Sequence, residues 1–374
     1  MQRSLRPPGA NARRLRHVAR AAMVATAARA VVLLLPREKT TTMMRPLVLF
    51  LPLVLLLCVS CARTRRTGAL AYVSNERDGT LSVIDTRTDT LVSTIKLGAV
   101  RPRGVRVSPD GRRVYVAVST PSGQMYADAD NYIAAIDTES EQVVARYEVG
   151  RDPEQLAVGK DGRMLYASNE DAGTATVLDT ETGQRIATLV VGIEPEGVSV
   201  SPDGRWVYVT AETSNSVSVI DTRTNTVVST FIVNARPRDA AFAPDGTRAY
   251  VTTEIGRTLE IVDARRHAIE RTVKLPQGAS VKPMGVVVSP DGERVYVSNG
   301  RGNTVSVLDA RSGEVLATIP VGGRAWGVAV TPDGRKLYTA NGLSNDISVV
   351  DTATNRVVAN IKAGDGPWGI AIKP

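Results

Sequence analysis

The chain has 374 residues, with 46 Lys and Arg against 38 Asp and Glu, a formal net charge of +8. The first 60 residues hold ten basic residues and one acid, Glu38, so the remainder carries 36 basic and 37 acidic residues and offers no basic surface for nucleic acid. Both cysteines, Cys58 and Cys61, lie near the N-terminus and the body has one histidine, His267, which excludes disulfides, cysteine nucleophiles and multi-histidine metal sites there.

Residues 1–42 are rich in Arg and Ala and precede Met43-Met44, where a signal peptide of ordinary length would start. They read either as sequence upstream of a misplaced start or as a long basic leader. Behind Arg45 comes a fourteen-residue apolar run, Pro46–Val59. That is short of the roughly 20 residues a spanning helix needs, and has the pattern of an export signal. Its end, Leu57-Cys58-Val59-Ser60-Cys61-Ala62, resembles a bacterial lipobox. Cys61 would carry the lipid, although Cys58 stands where an aliphatic residue is usual. The expected organisation is a targeting segment over 1–60, a linker over 61–70 and a folded body over 71–374. The body would sit in the periplasm or at the outer surface, held to a membrane only by the lipid on Cys61, or be secreted without it.

From residue 71 the chain repeats. A tyrosine opens each unit: Tyr72, Tyr115, Tyr166, Tyr208, Tyr250, Tyr296 and Tyr338. An Asp closes a β run thirteen residues later in six units, and an Asp-Gly turn stands five residues before each later tyrosine. In the second unit the closing residue is Asp137, 22 residues on. Runs such as Val207-Tyr-Val-Thr210, Ser216–Ile220 and Val227–Val233 are rich in β-branched and aromatic residues and predict strands. Ser201-Pro-Asp-Gly204 predicts a type I turn. Units of about 42 residues with four short β runs each predict an all-β fold, a seven-bladed β-propeller of four-stranded antiparallel blades. The body opens on a second strand, at Tyr72, and ends on a first strand, Trp368–Ile372. The C-terminal strand is therefore expected to join the N-terminal blade and close the ring, removing open sheet edges.

The runs Tyr72-Val-Ser-Asn75, Tyr166-Ala-Ser-Asn169 and Tyr296-Val-Ser-Asn299, with the Ser-Pro-Asp-Gly turns, resemble the YVTN family of bacterial and archaeal propellers over about 71–374. Within it, the export signal, the seven units and openings such as Ala71-Tyr-Val-Ser-Asn-Glu76 are similar to the β-propeller proteins associated with PQQ-dependent catabolism. That resemblance implies a link to periplasmic alcohol oxidation by quinoprotein dehydrogenases, not a reaction. The quinoprotein dehydrogenases themselves resemble eight-bladed rings, often with a cysteine pair at the cofactor, and this body has seven units and no cysteine.

Strands alternate in direction, so the loops between second and third strands and between blades share one face. Irregularity collects there, in Thr120–Asn131 of the second unit and around Gln277–Pro283 of the fifth. Binding evolves on such loops. Asp128-Ala-Asp130-Asn131 reads as a solvated loop or, less well spaced, a calcium loop. The residues entering the innermost strands are Arg103, Glu154, Glu196, Arg238, Met284, Trp326 and Trp368. Two residues before them stand Arg101, Asp152, Glu194, Arg236, Lys282, Arg324 and Gly366, and the second strands end at Glu76, Glu170, Glu212 and Glu254. This predicts an aromatic arc beside Arg and Glu arcs at the channel mouth. Arg103, Glu154, Glu196, Arg238, Trp326 and Trp368 are the candidate ligand-binding residues. They would take a planar or anionic molecule such as pyrroloquinoline quinone or an acidic metabolite. Alternatively the tryptophans plug the channel and the charges pair across its rim.

Three functions follow. The first is a monomeric, non-catalytic exported propeller that binds a small ligand or a periplasmic partner such as a quinoprotein dehydrogenase or cytochrome. The second is a lactonase-like hydrolase using a divalent metal on Glu154, Glu196 and Glu212. The third is a cell-surface interaction protein. His267, in the polar run Asp263–His267, is expected to be an exposed turn residue.

Overall fold

The computed structural model describes residues 69–119, 131–275, 278 and 280–373. The targeting segment, Cys61, most of the linker and the 120–130 insertion with Asp128 and Asp130 lie outside the described residues. The described residues form one compact unit. The described residues make twenty-eight strands in seven four-stranded antiparallel sheets and no helix. Each innermost strand packs against the innermost strands of the blades on either side, around a closed ring.

Blade 1 is the expected composite. Pro367–Ile372 pairs antiparallel with Leu70–Asn75, in the register Ala71↔Ile372, Tyr72↔Ala371 and Val73↔Ile370. Thr80–Asp85 and Thr90–Lys96 complete the sheet. Blades 2 to 7 follow in chain order, with innermost strands Arg101–Val107, Pro153–Val158, Pro195–Val200, Pro237–Phe242, Val286–Val288 and Ala325–Val330. Blade 6 has the shortest innermost strand, next to the irregular stretch before Pro283.

Burial follows position in the blade. Strands carrying the tyrosines are covered on both faces by neighbouring blades and are almost wholly buried, as in Trp206–Ala211. The outermost strands alternate half-buried and exposed residues, as in Val143–Glu148. Tyr72, Tyr166, Tyr208, Tyr250, Tyr296 and Tyr338 are the largest fully buried side chains. A buried phenol needs a partner for its hydroxyl, and several of these reach the outer hairpin of the next blade. Tyr166 donates to Asn225 Oδ1 (3.3 Å), Tyr250 to the Ala310 carbonyl (2.8 Å) and Tyr338 to the Thr86 carbonyl (3.3 Å). In blade 4 the partner is His267, whose Nδ1 lies 2.8 Å from the Tyr208 hydroxyl. His267 is thus a half-buried interblade contact rather than the exposed turn residue expected, because its φ of 51° aims the ring back at Trp206 and Tyr208. The turns behave as expected: Gly204 N–H donates to the Ser201 carbonyl, and Asp203 accepts from Ser201 Oγ and Arg205 N–H.

Candidate ligand site at the channel mouth

Each mouth residue is placed by a repeated local device. The linker residue before an innermost strand takes the left-handed conformation: Asp152 (φ 50°), Glu194 (55°), Arg236 (63°) and Arg324 (58°). A non-glycine residue there costs on the order of 1 kcal/mol, so these charged side chains are held at the rim against local preference. The strand then bulges, with pairing shifted between Pro102 and Val105, Pro153 and Leu156, Pro195 and Val198, Pro237 and Ala240, and Ala325 and Val328. A bulge re-aims the side chains it contains, here the mouth residue and its successor.

A hydroxyl from the second strand fixes the bulge and reaches the next blade. Ser168 accepts Gln155 N–H (3.0 Å) and donates to the Glu196 carbonyl (2.5 Å). Thr210 accepts Gly197 N–H (2.8 Å) and donates to the Arg238 carbonyl (3.3 Å). Ser74 links Gly369 to Arg103, Thr252 links Asp239 to Met284, and Ser298 links Gly285 to Trp326 in the same way. The carbonyls of five mouth residues are therefore pinned by the blade before them.

The expected Arg and Glu arcs interlock into two ion-pair clusters. In the first, Arg103, 7% exposed, pairs with Glu154 and lies 3.2 Å from Glu76, 3.4 Å from Asp152 and 3.5 Å from Glu170. Arg101 joins it through Glu76 at 2.6 Å. In the second, Arg238 pairs with Glu196, Glu212 and Glu254, while Arg236 reaches Glu212 (2.5 Å) and Glu254 (3.1 Å).

Acids outnumber bases on blades 3 and 4, and the carboxyl groups respond. Burial pushes Glu196 up to about 8, against the pull of Arg238 and with repulsion from Glu212 and Glu170. Burial also raises Glu170 and Glu212. Glu76 goes the other way, because Arg103 and Arg101 together outweigh its burial. The three carboxylates expected to share a metal do not form one cluster. Glu196 is committed to Arg238, and the close groups of acids are Asp152, Glu154 and Glu170, and Glu170, Glu194 and Glu212, with oxygens within 4.8 Å of one another. Asp152, Glu170 and Glu194 are the members that sequence spacing alone did not select.

The aromatic arc is present. Trp326 and Trp368 lie 5.4 Å apart with ring planes at 34°. Arg324 stands 4.6 Å from the Trp326 ring and Arg238 5.6 Å. Arg324 makes no ion pair among the described residues; burial lowers its pKa against the pull of Glu76, and Arg301, Arg77 and Arg238 nearby add to the drop. Opposite the acid-rich arc, the mouth thus offers two adjacent, tilted indoles beside a guanidinium that makes no ion pair among the described residues. Below them a cavity of about 330 Å³ runs down the channel, lined at its upper end by Trp326, Trp368, Met284, Arg238 and Glu196. The tryptophans therefore narrow the channel without filling it.

Comparison with known proteins agrees with this architecture. Residues 59–235 match the choice-of-anchor I domain family and residues 228–363 match the family described as lactonase, 7-bladed beta-propeller. Neither is the YVTN group that the repeats resemble. No curated protein matches the chain. Among solved structures, hydrazine synthase of Kuenenia stuttgartiensis is similar at 22% identity, with a TM-score of 0.64 over 73% of this chain and 90% of that one. A candidate 6-phosphogluconolactonase from Bacteroides uniformis is similar at 19% identity, with a TM-score of 0.68 over 81% of this chain and 99% of that one. A second, from Bacteroides fragilis, has 19% identity and a TM-score of 0.68 over 83% and 99%. At these identities the likeness is one of fold. The protein is a seven-bladed β-propeller, similar to the lactonase propellers over its later blades.

Proposed function

We propose that this propeller is a non-catalytic binding protein for a planar, anionic small molecule, held at the channel mouth. One observation carries the reading: the Trp326–Trp368 pair stands beside Arg324, a guanidinium with no ion pair among the described residues, where two of these residues, Trp326 and Trp368, line the channel cavity. Stacking and a charge-assisted hydrogen bond are the recognition chemistry such a pair provides. Pyrroloquinoline quinone, planar and polycarboxylate, suits it, as does an aromatic acid. The export signal and Cys61 would place the protein in the periplasm or at the outer surface, as a monomer serving a quinoprotein dehydrogenase or cytochrome in alcohol oxidation. The test is titration of intrinsic fluorescence, since two of the chain's three tryptophans are at the mouth. Pyrroloquinoline quinone is expected to quench saturably, and Trp326→Ala to weaken binding about ten-fold. A linear, non-saturating response would contradict the reading.

A second reading rests on Glu170, Glu194 and Glu212. Three carboxylate oxygens within 4.8 Å make a hard, all-oxygen donor set suited to Ca²⁺, Mg²⁺ or Mn²⁺. Burial and mutual repulsion, which raise Glu170 and Glu212, are what a divalent cation would relieve. Such an ion would polarise a lactone carbonyl or activate water, consistent with the lactonase match. Glu212, already shared with Arg236 and Arg238, is the ligand that would have to loosen. Lactone hydrolysis that requires added Ca²⁺ or Mn²⁺ and is lost in Glu170→Gln would favour this reading over the first.

A further inference from the structure

The channel below the mouth carries polar groups that the mouth does not use. In five blades the residue after the mouth residue is glycine: Gly104, Gly197, Gly285, Gly327 and Gly369. A Cβ there would lie within 2.8 Å of the next blade, most often of its backbone. The two exceptions are Gln155 in blade 3 and Asp239 in blade 5. Two residues further down, the ring reads Arg106, Ala157, Ser199, Ala241, Val287, Ala329 and Ala371, so one guanidinium projects among small side chains. Arg106, Gln155 and Asp239 all line the cavity.

The fold leaves Arg106 without an ion pair among the described residues and Gln155 Oε1 without a partner, and gives Asp239 backbone donors alone. Arg106 donates to the neighbouring Val105 carbonyl at 2.9 Å and makes no ion pair among the described residues. Asp239 is the acid that acts on it electrostatically, from a blade three places round the ring, with no direct contact. Asp239 accepts from Ala240 N–H (2.9 Å) and Val286 N–H (3.2 Å), and burial lifts its pKa to about 6. Gln155 Oε1 is buried without a hydrogen-bond partner. An unpaired guanidinium away from bulk water costs stability, and small side chains fill the same level in the other blades. The fold alone therefore does not call for Arg106.

We infer that Arg106, Asp239 and Gln155 form a binding site for a small carboxylic acid that also carries a hydrogen-bond donor, a hydroxy acid or an amino acid. The carboxylate sits on the Arg106 guanidinium, which matches its geometry in bidentate fashion. The hydroxyl or ammonium group donates to Asp239, whose carboxylate lines the same cavity and keeps spare lone pairs beside its two backbone donors. The site rests on the small-ligand reading above and takes the lower part of the same cavity, so a larger acid could occupy both levels.

Isothermal titration calorimetry of the full-length protein with glycerate, alanine, acetate and glyceramide tests it. Glycerate or alanine is expected to bind about ten-fold or more tighter than acetate, and glyceramide not to bind. Which of the two acids gives heat decides between a hydroxyl and an ammonium donor. Arg106→Met is expected to weaken binding by about 10- to 100-fold without lowering the melting temperature. If that variant does not fold, Arg106→Lys, which keeps the charge and loses the fork, is expected to weaken binding several-fold. Wild-type protein that binds neither glycerate nor alanine, or an Arg106 variant that binds them as well as wild type, overturns the site. The two levels fail separately. A planar acid that quenches the tryptophans while glycerate and alanine stay silent removes this site and leaves the mouth reading standing. Arg106-dependent glycerate binding with no quenching by planar acids does the reverse.

Discussion

At the scale of single residues, the Tyr-Val-Ser-Asn signature resolves into three jobs. The tyrosine ties its blade to the next through its hydroxyl in blades 3, 4, 5 and 7. The Ser or Thr pins the innermost bulge and a mouth carbonyl of the following blade. The Asn braces the next hairpin, as Asn75 does by donating to Thr80 and Ser82 Oγ. Thr210→Val keeps the shape but leaves Gly197 N–H and the Arg238 carbonyl without that hydroxyl. It should cost about 1–3 kcal/mol in urea unfolding and weaken ligand binding by freeing Arg238. His267 holds the left-handed turn position that Asn225 holds one blade earlier. Burial keeps its imidazole below the usual value. Its contribution is therefore complete above pH about 6.5, where the unfolded imidazole is also neutral, and is lost as pH falls through the lower folded value. His267→Asn, which tolerates the same φ and can accept from Tyr208, should remove this acid-side loss while matching wild-type melting at pH 8. Glu196 has the opposite sign. Its raised value means stability present below the ordinary carboxylate range and lost as pH rises toward about 8. Glu196→Gln should flatten that decline, as measured by melting temperature between pH 5 and 8.

At the scale of elements, the innermost strands are where sequence regularity becomes a site. The left-handed linker, the bulge and the glycine that follows are shared by most blades, so exchanging one mouth side chain leaves the backbone device intact. The glycines are less forgiving. At Gly327 a Cβ would lie 2.6 Å from the Trp368 carbonyl and 3.1 Å from Ile370 N. Gly327→Ala should push blades 7 and 1 apart, separating the indoles. Its expected signature is lower stability together with weaker quenching, a pairing that a surface defect would not produce. The closing strand carries more than one function, since Pro367–Ile372 completes blade 1 and also supplies Trp368. Removing residues 366–374 exposes the edge of Leu70–Asn75, and open edges recruit other chains. Size-exclusion chromatography should show aggregation or loss of the folded species; a monomer with unchanged melting would contradict the closure.

At the scale of the whole molecule, the fold was legible because a propeller writes its architecture as a period. Turn, tyrosine and closing Asp recur at fixed offsets, and the mouth residues could be located by counting from them. Charge pairing was not legible in the same way. Arg103 and Glu154 belong to neighbouring blades, and Arg238 gathers carboxylates from the blade before it as well as its own, so each cluster is set by ring curvature rather than by sequence spacing. The acid groups around Glu170, the interblade role of His267 and the Arg106–Asp239 level below the mouth were missed for that reason. Aligning the seven innermost strands does expose the last of these, as Gln and Asp among glycines and Arg among small residues. The proposed role of the ring is to hold a small acid. Native mass spectrometry of the protein purified from its native cells is the decisive measurement. The expected result is a non-covalent acidic molecule that leaves on collisional activation and is missing from a Trp326→Ala, Arg324→Met double variant. Wild type and variant that both carry no non-covalent small molecule would overturn it.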